Sequence, residues 1–347
     1  MNARIRHITY HLPQTVSTAE DLARELNNGW SAEKIVRKTG IRARRIAAPG
    51  ECASDLACAA ARALFAEGAC APGEVDYLLF CTQSPDYILP PTACLLQNRL
   101  GLPTTAGALD YNLGCSGFVY GLGMAKGLLL SGQARKVLLL TADTYSRHVH
   151  PGDKSVRTLF GDGAAATLIE AAGGEPGSGS DASPEGIGRM VYGTDGAGYK
   201  NLLIAAGGAR LPRCAETARE CTDKFGNTRS QDHLFMDGPE IFKFTMQVVP
   251  GCVEETLARN GLGLNDVDLF VFHQANAYML ENLRQKMGIP EERFYVNMAD
   301  CGNTVSATIP IALRRAMDDG SLEPGMRVML VGYGVGYSWA GTVLRWA

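Results

Sequence analysis

The second half of this chain repeats the first, and no other feature constrains its fold as tightly. Val75-Asp76-Tyr77-Leu78-Leu79-Phe80-Cys81 is matched by Val267-Asp268-Leu269-Phe270-Val271-Phe272-His273, and Leu100-Gly101-Leu102-Pro103 by Met287-Gly288-Ile289-Pro290. From these prolines the next feature stands 12 residues on, at Cys115, or 13 on, at Asn303. Arg135-Lys136-Val137-Leu138-Leu139-Leu140 then matches Met326-Arg327-Val328-Met329-Leu330-Val331. Blocks recurring in one order imply a duplicated strand-helix unit. Its strands alternate with helix-compatible runs, so the fold class is α/β, with mostly parallel sheets covered by helices.

The remaining punctuation fits two such units. Strands are expected at Ile5 to Tyr10, Val75 to Thr82 and Arg135 to Ala142, with helices near Ala19 to Leu26, Ala53 to Glu67, Pro90 to Leu100 and Pro239 to Asn260. Glycines in Gly161-Asp162-Gly163 predict close backbone approach rather than phosphate binding, because the spacing is not that of a Walker loop. Gly173 to Gly186, rich in Gly, Ser and Pro, reads as a linker or surface loop. Residues 1–172 form one half and 173–347 the other, with 173–186 between them.

Charge and composition exclude several functions. A net charge of -3 provides no basic excess for nucleic acid. No apolar run approaches the ~18 residues of a membrane span, and Met1 to Gln14 lacks the core of a secretory signal, so a cytoplasmic enzyme is expected. The ten cysteines include no Cys-x-x-Cys and no zinc-finger histidine spacing, so no metal is expected. Trp30 to Arg45 carries Lys34, Arg37, Lys38, Arg42, Arg44 and Arg45, which read as a solvated face or as a rim for a phosphate or an acidic partner.

Three residues stand where a duplicated α/β unit places chemistry. Cys115 lies between an apolar approach and the helix-compatible run Phe118 to Leu130, a turn whose free N–H groups predict a lowered thiol pKa. Asn303 occupies the matching turn of the second half, and His273 ends a strand there. Strand carboxyl ends are where open α/β sheets gather ligands. Alone, His273 reads as a satisfied core histidine and Asn303 as a helix N-cap; as a set with Cys115 they favour catalysis.

That set, within Gly114-Cys115-Ser116-Gly117, His273-Gln274-Ala275-Asn276, Gly302-Asn303-Thr304 and Gly332-Tyr333-Gly334-Val335-Gly336-Tyr337-Ser338-Trp339, resembles the ketoacyl-acyl carrier protein synthase III family of the thiolase superfamily. Thr39-Gly40-Ile41-Arg42 and Phe160-Gly161-Asp162-Gly163 match it too, so the resemblance spans nearly the whole chain. A Cys-His-Asn set points to the type III branch or to the chalcone-synthase-like enzymes. The resemblance implies a thiolase fold, with duplicated βαβαβ halves in a layered αβαβα architecture, acting as a homodimer without cofactor.

By the same resemblance, Cys115 attacks an acyl thioester, with the backbone N–H groups of Cys115 and Val335 as the oxyanion hole. His273 and Asn303 then hold the carbonyl of a malonyl thioester through a decarboxylative Claisen condensation, His273 donating as a neutral imidazole. Where the family commonly holds coenzyme A with a tryptophan and arginines, this chain has Lys34, Lys38, Lys154 and Tyr278, which favours delivery by an acyl carrier protein. Lys243, Arg284 and Lys286 stand at positions resembling the carrier-docking patch, or are ordinary exposed helix charges. Leu89 matches a residue that bounds the acyl pocket across the dimer. Two other readings remain: acyl transfer from Cys115 to an alcohol or amine, and a non-catalytic subunit of a condensing complex.

Overall fold

The computed structural model describes residues 2–26, 29–172 and 186–347. Of the expected linker, only Gly186 is among them, opening the short strand Gly186–Ile187; residues 173–185 lie outside the described residues.

Each half contributes one five-stranded sheet. In the first the order is Asn2–His11, Gly163–Ala172, Lys136–Asp143, Tyr77–Cys81, Gly107–Tyr111. The last three strands run parallel, with Leu79 opposite both Leu109 and Leu139. In the second, Leu269–Phe272 runs parallel to Arg327–Gly334, which turns back antiparallel as Ser338–Arg345. Gly186–Ile187 and Val191–Thr194 both pair with that last strand. The counterpart of Gly107–Tyr111 is reduced here to a single bridge, Phe270 with Phe294.

Strand side chains alternate between faces, and here both faces are buried, which is why the strands read as continuous apolar runs. Leu78, Phe80, Leu138 and Leu140 pack outward beneath the helices Ala53–Ala66 and Thr92–Leu100. Leu79 and Leu139 from the first sheet and Val271 and Leu330 from the second face inward, onto Gly117–Leu130 and Thr308–Asp318. Phe270, Phe272 and Val331 lie beneath Gly238–Arg259 and Ala277–Met287. The order helix, sheet, helix, sheet, helix is the expected αβαβα layering. The helix expected from Pro90 begins at Thr92 and ends at Leu100, capped by Gly101, whose positive φ suits a glycine.

Candidate active site

Cys115 follows the strand Gly107–Tyr111 after Asn112, Leu113 and Gly114 and is buried just before the helix Gly117–Leu130. A strand from the other half passes directly against it. A Cβ added at Gly334 would lie 2.8 Å from Cys115 Cβ and 3.0 Å from Sγ, so only glycine fits. The next residue, Val335, directs its backbone N–H at the sulfur, as does Cys115 itself, and both hold the thiol pKa down.

Burial opposes them and prevails. Desolvation, then the nearby Asp143 carboxylate, push the thiol up to about 12. The expected resting thiolate is therefore corrected: Cys115 is a neutral thiol, because two N–H donors do not offset removal from water beside a carboxyl group. Asp143, at the end of Lys136–Asp143, is itself raised to about 7 by burial. It accepts from Gln83 N–H at 2.8 Å and, across the seam, from both Ser306 N–H and Ser306 Oγ–H.

His273 extends the strand Leu269–Phe272, its N–H donating to Val331 O at 2.9 Å. Burial lowers its pKa to about 3, so the imidazole is neutral. Nδ1 lies 2.8 Å from Thr308 Oγ1, while no described group meets Nε2. The ring is buried with one nitrogen paired and the other free, which is not a satisfied core histidine.

Asn303 belongs to the second half, but its backbone is bound to the first. Its N–H donates to Leu159 O at 2.9 Å, and its carbonyl accepts from Gly161 N–H at 3.1 Å. A Cβ at Gly161 would stand 2.1 Å from Cys301 O, so the glycine expected to permit close approach does so here. Asn303 Oδ1 accepts from Val305 N–H at 2.9 Å, and Nδ2 donates to Ala275 O at 3.4 Å. The oxygen is thus occupied, and the amide presents donors. Asn303 is not a helix N-cap, because the following helix starts only at Thr308.

Cys115, His273 and Asn303 line one cavity of about 230 Å³, with Phe160, Leu202 and Met236 among its walls. The duplication is what brings them together. One strand end and two turns from different halves meet at the seam, where long sequence separation costs little once both sheets share the inner helices.

The peripheral positions divide. Lys34 and Lys38 both lie over the ring of Trp30, with Nζ 5.1 and 5.3 Å from its centroid. Sequence reading missed Trp30 one helical turn ahead of Lys34, although their spacing was a usable signal. That helix, Ala32–Thr39, abuts the one bearing Tyr278, because a Cβ at Gly40 would lie 2.4 Å from Ala277 Cβ. Tyr278 is exposed and stacks on Phe242, centroids 5.7 Å apart. Lys154 donates to Phe225 O, and its neighbour Ser155 lines the cavity.

Two members of the expected docking patch are engaged within the chain. Arg284 forks onto Glu281 at 2.8 and 2.6 Å and also donates to Ile289 O, and Lys286 donates to Met246 O at 2.7 Å. Lys243 remains 63% exposed, with Glu240 at 4.0 Å. Leu89 is 78% exposed and does not line the cavity of its own chain. Arg44, in the basic stretch, is buried and bonds Ser17 Oγ at 2.7 Å, so it is no part of a rim.

A cysteine and two neutral hydrogen-bonding side chains, gathered between duplicated α/β halves, define an acyltransferase of the thiolase fold. Residues 109–186 match the family model for 3-Oxoacyl-[acyl-carrier-protein (ACP)] synthase III, and residues 257–346 match the model for its C-terminal part. Those spans include Cys115, His273, Asn303 and Val335. Beta-ketoacyl-[acyl-carrier-protein] synthase III of Caldanaerobacter subterraneus subsp. tengcongensis is 35% identical, over 97% of this chain and 96% of its own. A crystal structure of a 3-oxoacyl-(acyl-carrier-protein) synthase III is 54% identical over 100% of both chains, with a TM-score of 0.95. The 3-oxoacyl-(acyl-carrier protein) synthase of Burkholderia xenovorans LB400 is 34% identical over 100% of this chain and 95% of its own, with a TM-score of 0.89. The chain belongs to the 3-oxoacyl-acyl carrier protein synthase III family, and is an acyltransferase of that kind.

Proposed function

We propose that this protein condenses an acyl group, carried on Cys115, with a malonyl thioester by decarboxylative Claisen chemistry, in fatty-acid-like or specialised metabolism. The observation that carries the reading is that a thiol, a neutral imidazole and an amide with its oxygen tied back line one cavity. A thiol pKa of about 12 means that the proton leaves as sulfur attacks. The N–H groups of Cys115 and Val335 then hold the tetrahedral oxyanion, each such donor contributing about 3–4 kcal/mol to lowering a barrier of this kind. Asn303 Nδ2 donates to the carbonyl oxygen of the malonyl thioester as carbon dioxide departs. His273 lines the same cavity beside it. The enolate carbon attacks the acyl carbonyl, and Cys115 sulfur leaves.

Acyl and malonyl groups arrive as thioesters, with an acyl carrier protein as donor partner and no cofactor. Lys243 supports carrier docking, while Arg284 and Lys286 are committed internally. Trp30, with Lys34 and Lys38 over its ring, supports a stacking and phosphate contact for an incoming thioester. The exposed Tyr87, Ile88 and Leu89, beside the edge strand Gly107–Tyr111, favour a homodimer in which a second copy covers them.

A second reading draws on the unpartnered Nε2 of His273, which could deprotonate an alcohol or amine acceptor. One experiment separates the two. Acyl-coenzyme A and acyl-carrier donors are incubated with the protein, Cys115 is followed by intact mass, and malonyl thioester is added. Carbon dioxide release from the acylated protein is expected. An adduct discharged only by an alcohol or amine favours the second reading, and no adduct with any donor sinks both.

A further inference from the structure

Val305 has φ 55, a left-handed backbone uncommon for a β-branched residue. Both its polar groups are held by neighbours in the site. Its N–H donates to Asn303 Oδ1 at 2.9 Å, and its carbonyl accepts from Thr308 Oγ1 at 3.1 Å. The same Thr308 Oγ1 stands 2.8 Å from His273 Nδ1. A hydroxyl has one proton and two lone pairs. If that proton goes to the Val305 carbonyl, Oγ1 can only accept from His273, so Nδ1 must carry hydrogen. This arrangement satisfies both contacts at once. In a neutral imidazole it leaves Nε2 as a lone pair on the cavity side.

We propose that Thr308 is a positioning residue that fixes His273 as its Nδ1–H tautomer, so that Nε2 is a proton acceptor toward Cys115. The proposal rests on the reading that Cys115 is acylated. In the acylation step the bond from Cys115 Sγ to the acyl carbon forms, the donor's carbon–sulfur bond breaks, and the Sγ proton passes to Nε2. The donor's thiolate departs with that proton, taken from Nε2. In the condensation step carbon dioxide leaves the malonyl unit, the new carbon–carbon bond forms, and the Cys115 carbon–sulfur bond breaks. The departing sulfur takes its proton from solvent. His273 ends neutral, still bearing hydrogen on Nδ1.

Thr308→Val keeps the shape and removes the hydroxyl, while Thr308→Ser retains it. In protein labelled with 15N-histidine, one-bond and two-bond couplings distinguish protonated from bare ring nitrogens, with His273 signals assigned by their loss in His273→Gln. The expected result is Nδ1 protonated and Nε2 bare in the unaltered protein and in Thr308→Ser. Cys115 acylation is expected to slow roughly 100-fold in Thr308→Val and to recover in Thr308→Ser. Nε2 protonated in the unaltered protein overturns the proposal, as does unchanged acylation in a folded Thr308→Val. If no donor acylates Cys115, the functional reading fails, while the coupling pattern still decides the tautomer.

Discussion

The turns at Cys115 and Asn303 descend from one unit of structure and have diverged in what they present. After Cys115 the chain enters its helix at once, at Gly117, and the turn offers backbone N–H groups to a thiol. After Asn303 it passes through left-handed Val305 and a short 3-10 turn, and the helix waits until Thr308. Those extra residues bind the Asn303 oxygen and lead to the hydroxyl that contacts His273. One turn thus supports a thiol with its backbone, and the other orients two side chains. A duplicated scaffold yields two chemistries because the strand ends are equivalent in position but their helices start at different distances.

The contrast can be broken most completely at Cys115. Cys115→Ala is expected to give no acyl adduct by intact mass with any donor; an adduct elsewhere on the chain would remove the first turn from the reaction. Asn303→Ala is expected to reduce carbon dioxide release from malonyl thioester roughly 100- to 1000-fold, with a smaller effect on acylation. Equal losses in both steps would erase the division of roles.

The backbone bridge between the halves offers a third test. Gly161→Ala forces a Cβ toward Cys301 O and is expected to cost about 1–3 kcal/mol, read as a lowered Tm. An unchanged Tm would mean that the second turn does not depend on the first half for its position.

The smallest expected effect concerns Asp143, which links Ser306 of the second turn to the first half. Its native pKa of about 7 lies above the ordinary 3.8, so the folded protein keeps a proton that the unfolded chain gives up. Its contribution to stability is therefore greatest below the lower value and is lost as pH rises through the higher one. The Tm of the unaltered protein relative to Asp143→Asn is expected to decline from about pH 4 to about pH 7. A flat difference would place the proton elsewhere in the Ser306 and Gln83 network.

Much of the layered fold was legible because repeated blocks constrain one another. Val75 to Cys81 and Val267 to His273 are each ambiguous alone, but together they fix the strand type and its place in the unit. The Cys115, His273 and Asn303 set was legible for the same reason. Arg284 and Lys286 stayed open, since a charge run carries no record of whether Glu281 or a carbonyl such as Met246 O has already taken its donors. Thr308 went unnoticed because its hydroxyl acts through His273, 35 residues away.

The sequence by itself determined a duplicated α/β unit and which three polar residues stand at its strand ends, because apolar period and turn residues are local properties. Only the tertiary structure decided that the thiol rests protonated, which way the Asn303 amide faces and which nitrogen of His273 meets a hydroxyl. Those depend on exclusion of water and on partners from the other half, such as Asp143 and Ser306, whose meeting exists only once the two halves have packed.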